Sequence, residues 1–328
     1  FSDVDFTGLS SEEATHMQER AGALYLRCDA GNPGKVFSSI AFLGGSSGNE
    51  FLLEAGENVM IDNLCIRYYG GSGIVVGSHC VVQHCEVGYV GGSVVGYDAS
   101  MIGGVSDGED PGIILRVGDG IVVGRGEGSI VRNNYVHHAY DQSITVEIGP
   151  GGEEAQRFAK DVLIEGNVTA YSSGNMLIAD WDALQNGYED HSLFENIRIS
   201  DSFFLYSGYG WSHRTRDDDW GEEGLVNNGN CTIFLGYPEK TGIDIFVVDN
   251  VFYLSKYALV GFKSPQTLEQ YEVSFEGNTY IQNAYGTLAV WEIPESPVLL
   301  RHFDLHISTE GVRMSLGDGG ADVVAPCF

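Results

Sequence analysis

Ser129-Ile130-Val131-Arg132-Asn133-Asn134-Tyr135-Val136-His137-His138-Ala139-Tyr140-Asp141-Gln142-Ser143-Ile144-Thr145-Val146-Glu147 is the stretch on which the rest of the chain can be laid. It reads as short strands joined by a turn. Ile61-Asp62-Asn63-Leu64-Cys65-Ile66 followed by Gly73-Ile74-Val75-Val76 repeats it upstream, and Ile164-Glu165-Gly166-Asn167-Val168-Thr169 followed by Met176-Leu177-Ile178-Ala179-Asp180 repeats it downstream. Self-similarity of this kind marks a stacked array, in which each unit buries its apolar side only against its neighbours.

With Asn134 as the pivot, the equivalent positions are Leu64, Cys85, Asn167, Ser202, Asn250 and Asn278. A bare coil of about 21 to 24 residues suits a solenoid of short strands, and longer steps are such a coil plus loops, or two coils. The near-identity of Gly71-Ser72-Gly73-Ile74-Val75-Val76-Gly77 and Gly118-Asp119-Gly120-Ile121-Val122-Val123-Gly124 favours a doubled coil between them. The spacing predicts an all-β chain, a right-handed parallel β-helix with an N-terminal cap region and long loops. Asn or Asp near the pivot suits a turn in which amide side chains stack.

Residues 1–50 lack the repeat and are expected to be a cap or the remnant of a preceding region. Ser10-Ser11-Glu12-Glu13 with Ala14 to Arg20 reads as a short capped helix there, and Leu24–Leu26 and Ser39–Leu43 read as strands. The coils are expected over 51–300, with a C-terminal cap at 301–328. Two insertions, Tyr97 to Gly118 and His213 to Asn230, are rich in acidic residues. Loops on one flank of a solenoid commonly build its binding surface.

The 328 residues carry 45 glycines and a formal net charge of −29, with a pI near 4.4. Such a field repels nucleic acid and anionic lipid, so nucleic-acid binding is not expected. Acidity also suits solubility outside the cell or the attraction of calcium. The six cysteines lack zinc-ribbon spacing and are compatible with disulfides or buried thiols. Asn167-Val168-Thr169 and Asn230-Cys231-Thr232 have the N-glycosylation pattern. No apolar run approaches a membrane span, and no signal peptide begins at Phe1.

A column of charged residues falls thirteen positions after the pivots and includes Asp98, Glu147, Asp180 and Lys263. Alternation along Ile144–Glu147 and Leu177–Asp180 predicts that Glu147 and Asp180 point outward from neighbouring rungs, about 4.8 Å apart. Two carboxylates so close divide into an acid and a base, which is the requirement of glycoside hydrolysis. Glu147 and Asp180 are therefore the expected catalytic pair, with Asp182 able to replace either. Asp141, Tyr209, Trp211, His213, Arg214 and Lys263 are expected to bind substrate, since aromatics pack on sugar faces and polar groups bond hydroxyls or acidic groups. His137 and His138 read as turn or surface residues.

Asn133-Asn134-Tyr135-Val136 with Tyr140-Asp141-Gln142-Ser143-Ile144, and Tyr206-Ser207-Gly208-Tyr209-Gly210-Trp211, resemble bacterial right-handed parallel β-helix proteins, a group similar to pectate lyases and β-helical glycoside hydrolases. Of the polygalacturonase motifs only a bare Asp-Asp, within Asp217-Asp218-Asp219, is present. The resemblance implies a secreted or cell-surface protein acting on a poly- or oligosaccharide. Three readings stay open: a glycoside hydrolase that needs no cofactor, a calcium-assisted polysaccharide lyase with Arg214, Arg216 or Lys263 as base, and a non-catalytic fibre protein or homo-oligomer.

Overall fold

The computed structural model describes residues 29–36, 51–97, 114–116, 118–148, 158–180, 193–210, 232–236, 243–256, 260–263, 271–281, 288–291, 300–301, 303–307 and 312–316. Phe1–Phe42 and Leu43–Phe328 are separate compact units. Of the first, a short helix, Pro33–Val36, lies among the described residues. The predicted helix after Ser10 and the strands at Leu24–Leu26 and Ser39–Leu43 lie outside them.

The second unit is a parallel β-helix of three long sheets. Sheet 1 stacks Phe51–Ala55, Ser72–Val76, Ile121–Val123, Gln142–Ile148, Gly174–Asp180, Ile233–Gly236, Val260–Lys263 and Leu288–Trp291. Sheet 2 stacks Met60–Asp62, Val81–Gln83, Ile130–Arg132, Phe158–Glu165, Leu193–Ser200, Ile243–Val248, Tyr271–Glu276 and Leu300–Arg301. Sheet 3 stacks Cys65–Tyr69, Glu86–Val90, Tyr135–His137, Val168–Ala170, Phe203–Ser207, Val251–Ser255, Thr279–Ile281 and Phe303–Ile307, and ends in the antiparallel strand Val312–Leu316. Each coil passes once through sheets 1, 2 and 3, and we number the coils from Phe51.

The pivots meet as the sequence predicts. Cys65 pairs with Glu86, Glu86 with Tyr135, Tyr135 with Val168, Val168 with Phe203, Phe203 with Val251 and Val251 with Thr279. The residue before each is the pivot, and in the Asn-bearing coils it is fully buried. Asn134 Nδ2 donates to Asn167 Oδ1 at 3.0 Å and to the Val82 carbonyl, while Asn167 Nδ2 donates to the Val131 carbonyl at 2.8 Å. Asn250 and Asn278 repeat this arrangement higher up. Ser202 interrupts the amide column but still accepts the Asn167 backbone N–H at 3.1 Å. The residue before each pivot is left-handed: Asn63, His84, Asn133, Asp201 and Asp249 have φ between 52° and 58°, and glycines 166 and 277 take the remaining two places. That corner explains the recurring Asn, Asp and Gly, which bear φ > 0 at least cost.

Alternation fills the interior with one aliphatic or aromatic side chain after another. Ile74, Ile121, Ile144 and Met176 from sheet 1, Val82, Val131, Ile164 and Ile199 from sheet 2, and Val87, Val136, Phe204 and Phe252 from sheet 3 belong to one continuous core. Full burial of such a side chain contributes about 1.5–3 kcal/mol.

The structure corrects several expectations. Ile74 pairs directly with Ile121, so the two glycine-flanked repeats are adjacent rungs and the extra length between them is an insertion that includes the hairpin Val94–Tyr97 with Ile114–Arg116. It is not a doubled coil. Asn167 is wholly buried with its amide committed to the column, which removes it as a glycosylation acceptor. Cys65, Cys80 and Cys85 are free thiols.

Candidate functional site on the outer face of sheet 3

The expected carboxylate pair fails on register. Gln142 pairs with Gly174 while His137 pairs with Ala170, so the corner between sheets 3 and 1 is one residue shorter in coil 5 than in coil 4. Counting from the pivots therefore slips by one on sheet 1. Glu147 lies beside Ala179, and Asp180 lies beside Ile148, which belongs to the interior core. A one-residue offset moves a position to the other face of a sheet, so Glu147 and Asp180 are not in-register partners. Asp141 is half-buried at the corner leading into the Gln142 strand, Tyr209 is 41% exposed after the Phe203–Ser207 strand, and Lys263 pairs with Trp291 on sheet 1. Asp182, Trp211, His213 and Arg214 lie outside the described residues.

Another group of side chains does come together, on sheet 3 of coils 1 to 3. Because Ile66, Val87 and Val136 point into the core, Arg67, Glu86, Tyr135 and His137 project outward. His137 is nevertheless only 5% exposed. Its position pairs with Gly88, and a Cβ on Gly88 would lie 2.4 Å from His137 Cε1 and 2.5 Å from Nε2. The missing side chain is the niche that holds the ring. Tyr135 stacks on the same ring at 4.4 Å between centroids, and Tyr89 meets it edge-on at 5.3 Å.

Inside the niche the polar atoms form a chain. Arg67 Nη2 bonds Glu86 Oε1, the same oxygen lies 3.1 Å from His137 Nε2, and His137 Nδ1 lies 2.8 Å from His138 Nδ1. The hydrogen bond from His137, and behind it the Arg67 guanidinium, hold the Glu86 carboxyl below the usual carboxylate range. Glu86 is then an acceptor only, so His137 Nε2 carries a hydrogen. In neutral His137 the Nδ1 atom is an acceptor, and His138 Nδ1 is the donor that fills it. Burial, reinforced by the neighbouring His137, pushes His138 down to about 4, which keeps it neutral near pH 7. Burial, with the Glu86 charge adding to it, raises Tyr135, which keeps its phenol proton.

His138 also belongs to a stack of rings along the solenoid. Tyr68, Tyr89, His138, Tyr171 and Tyr206 all have left-handed φ, between 51° and 62°, at the same point of coils 1 to 5. Their centroids are 5.2, 4.6, 5.2 and 4.7 Å apart, with interplanar angles from 6° to 26°. Faces this close are used up on one another, so the stack offers outward only the edges of its rings.

No family model matches the chain, and no curated protein matches it. Among solved structures it is similar to an alginate lyase from Paenibacillus sp. str. FPU-7, at 14% identity, with 77% of this chain and 79% of that chain covered and a TM-score of 0.34.

Chemically, the chain from Arg67 to His138 links two imidazoles to an ionised carboxylate, an arrangement that can relay a proton. Among the described residues there is no cluster of three or more His, Cys, Asp or Glu fit to hold a metal, and no helix is long and apolar enough to cross a membrane. Sequence reasoning passed over this site because it followed the column thirteen residues beyond the pivots. The column four residues beyond them reads Tyr68, Tyr89, His138, Tyr171, Tyr206 and then Leu254, and that near-uniform aromatic series was the available signal.

Proposed function

We propose that this chain is a polysaccharide-directed enzyme, acting outside the cell or at its surface, that cleaves a uronate-containing glycan by β-elimination. The observation that carries this reading is the hydrogen-bonded series Arg67, Glu86, His137, His138 on the outer face of sheet 3. It joins two imidazoles to a carboxylate in one hydrogen-bonded line, and a proton-accepting series of this kind suits abstraction of a proton from carbon.

In the proposed step His138 accepts the proton from the carbon beside the uronate carboxyl and passes its Nδ1 hydrogen to His137 Nδ1. The electron pair of that C–H bond becomes a C=C bond, and the adjacent bond to the leaving glycan oxygen breaks. That oxygen takes its electron pair and a proton from the Tyr135 phenol, which solvent and the base later restore. The relayed proton ends beside the Glu86 carboxylate, whose Oε1 lies 3.1 Å from His137 Nε2.

Incubation with a panel of uronate and neutral polysaccharides tests the reading. Unsaturated uronate ends, detected by ultraviolet absorbance and lowered at least 100-fold in both His137→Gln and His138→Gln, are expected. New reducing ends without unsaturation, or unchanged turnover in the two variants, overturns it.

A further inference from the structure

The ring stack stops at Tyr206. In the next coil the equivalent position is Leu254, which also has left-handed φ but no ring. Two tyrosines turn perpendicular to Tyr206 instead: Tyr253 at 5.3 Å and 83°, and Tyr209 at 6.1 Å and 84°. Tyr209, 41% exposed, is therefore not consumed by face-to-face stacking as the rings below are. Lys256 Nζ stands 5.5 Å from its centroid. An aromatic ring accompanied by an ammonium group suits a sugar that carries a carboxylate: the ring takes an apolar face of the sugar, and the cation takes the acid. In a chain of net charge −29 that local cation matters, because the long-range field disfavours any acidic polymer.

We infer that Tyr206, Tyr209, Tyr253 and Lys256 form a binding subsite for a carboxylated sugar residue, separate from the His137 and His138 base and on the same flank of the solenoid. The inference rests on the β-elimination reading for what the glycan does at His138, but not for whether the glycan binds. Tyr253 is three coils beyond His138, and rungs repeat at about 4.8 Å, so the two places are about 14 Å apart along the axis. A mono- or disaccharide is too short to span that distance. The ligand that fills both is a linear, extended oligo-uronate of at least three or four residues lying parallel to the axis, which makes the enzyme one that engages the interior of a polymer.

The test is calorimetric binding of a length series of oligo-uronates, from dimer to hexamer, to His137→Gln protein, in which binding is read without turnover. Wild type with neutral oligosaccharides of equal length serves for comparison. Expected are at least 10-fold tighter binding of the hexamer than of the dimer, a 10-fold or greater loss for the hexamer in Tyr209→Ala, and a comparable loss in Lys256→Gln that is confined to the uronates. Equal affinity along the series, or hexamer binding unchanged in Tyr209→Ala, overturns the subsite. A variant that only melts lower while binding normally assigns these rings to packing and overturns it as well. Length-dependent binding without any unsaturated product would instead retain the subsite and remove the base, so the two proposals fail separately.

Discussion

Replacing Asn167 by alanine removes one step of the amide column and three of its hydrogen bonds, although Asn134 Nδ2 keeps its bond to the Val82 carbonyl. Asn167 Oδ1 accepts the Asn134 backbone N–H at 3.0 Å and Asn134 Nδ2 at 3.0 Å, and Asn167 Nδ2 reaches the Val131 carbonyl at 2.8 Å. A buried polar group deprived of its partner costs about 1–3 kcal/mol, and because the three share one network their costs do not simply add, so about 3–5 kcal/mol is expected. Asn167→Ser is the informative control. Ser202, in the next coil, shows how serine serves this position: its Oγ accepts the N–H of the coil before and donates to the Ser200 carbonyl at 2.9 Å. The serine variant thus keeps the backbone acceptor and is expected to lose about half as much as alanine. Urea unfolding followed by circular dichroism gives the stability, and hydrogen exchange gives the local effect, with the Asn134 amide losing protection in the alanine variant first. A loss under about 1 kcal/mol for alanine, or serine no better than alanine, refutes the view that the column holds the coils in register.

Gly88→Ala places a methyl where the His137 ring lies; the ring is expected to leave its niche, with turnover on a uronate polymer falling at least 100-fold while the melting temperature shifts by only a few degrees. Wild-type turnover in that variant would show that the buried position of His137 is irrelevant. Gly118→Ala is expected to be far worse for folding, since its Cβ would come within 2.0 Å of the Gly91 Cα and the residue has φ of +147°; soluble yield and melting check this. The folded state holds His138 at about 4 against an ordinary 6.5, so the unfolded chain binds the extra proton between those values. Stability from this group is complete above pH 6.5 and is lost as pH falls towards 4, by on the order of 2 kcal/mol after allowing for partial solvent contact. Melting curves of wild type and His138→Tyr over that range should converge in slope only above pH 6.5. Parallel curves throughout would remove His138 as the source.

The coils were legible because one physical requirement repeats along the chain. A buried amide after a left-handed residue can be met by few side chains, and Asn133-Asn134, Gly166-Asn167, Asp249-Asn250 and Gly277-Asn278 announce it at each corner. Even the coils that use Leu64, Cys85 and Ser202 could be placed by their flanking strands. The register of the sheet 1 strands was not legible by the same count, since nothing in Tyr171-Ser172-Ser173-Gly174 states that this corner is one residue shorter than its predecessor. Ser172 takes the place of a longer turn by hydrogen bonding both the Ala139 N–H and the Ser143 hydroxyl. The burial of His137 was invisible for a different reason: it depends on a glycine one coil away, whose meaning appears only when the rungs are stacked.

That shortened corner has a wider consequence. Ile144 pairs with Met176 and Val146 with Ile178, and all four are buried, so the missing residue is absorbed within the turn and the sheet 1 strands keep the same side inward. Which face a strand buries is thus set by its own alternation and not by its distance from the clamp. Two proteins with the same clamp could carry different sequence positions at the same height of one wall merely by the length of a turn.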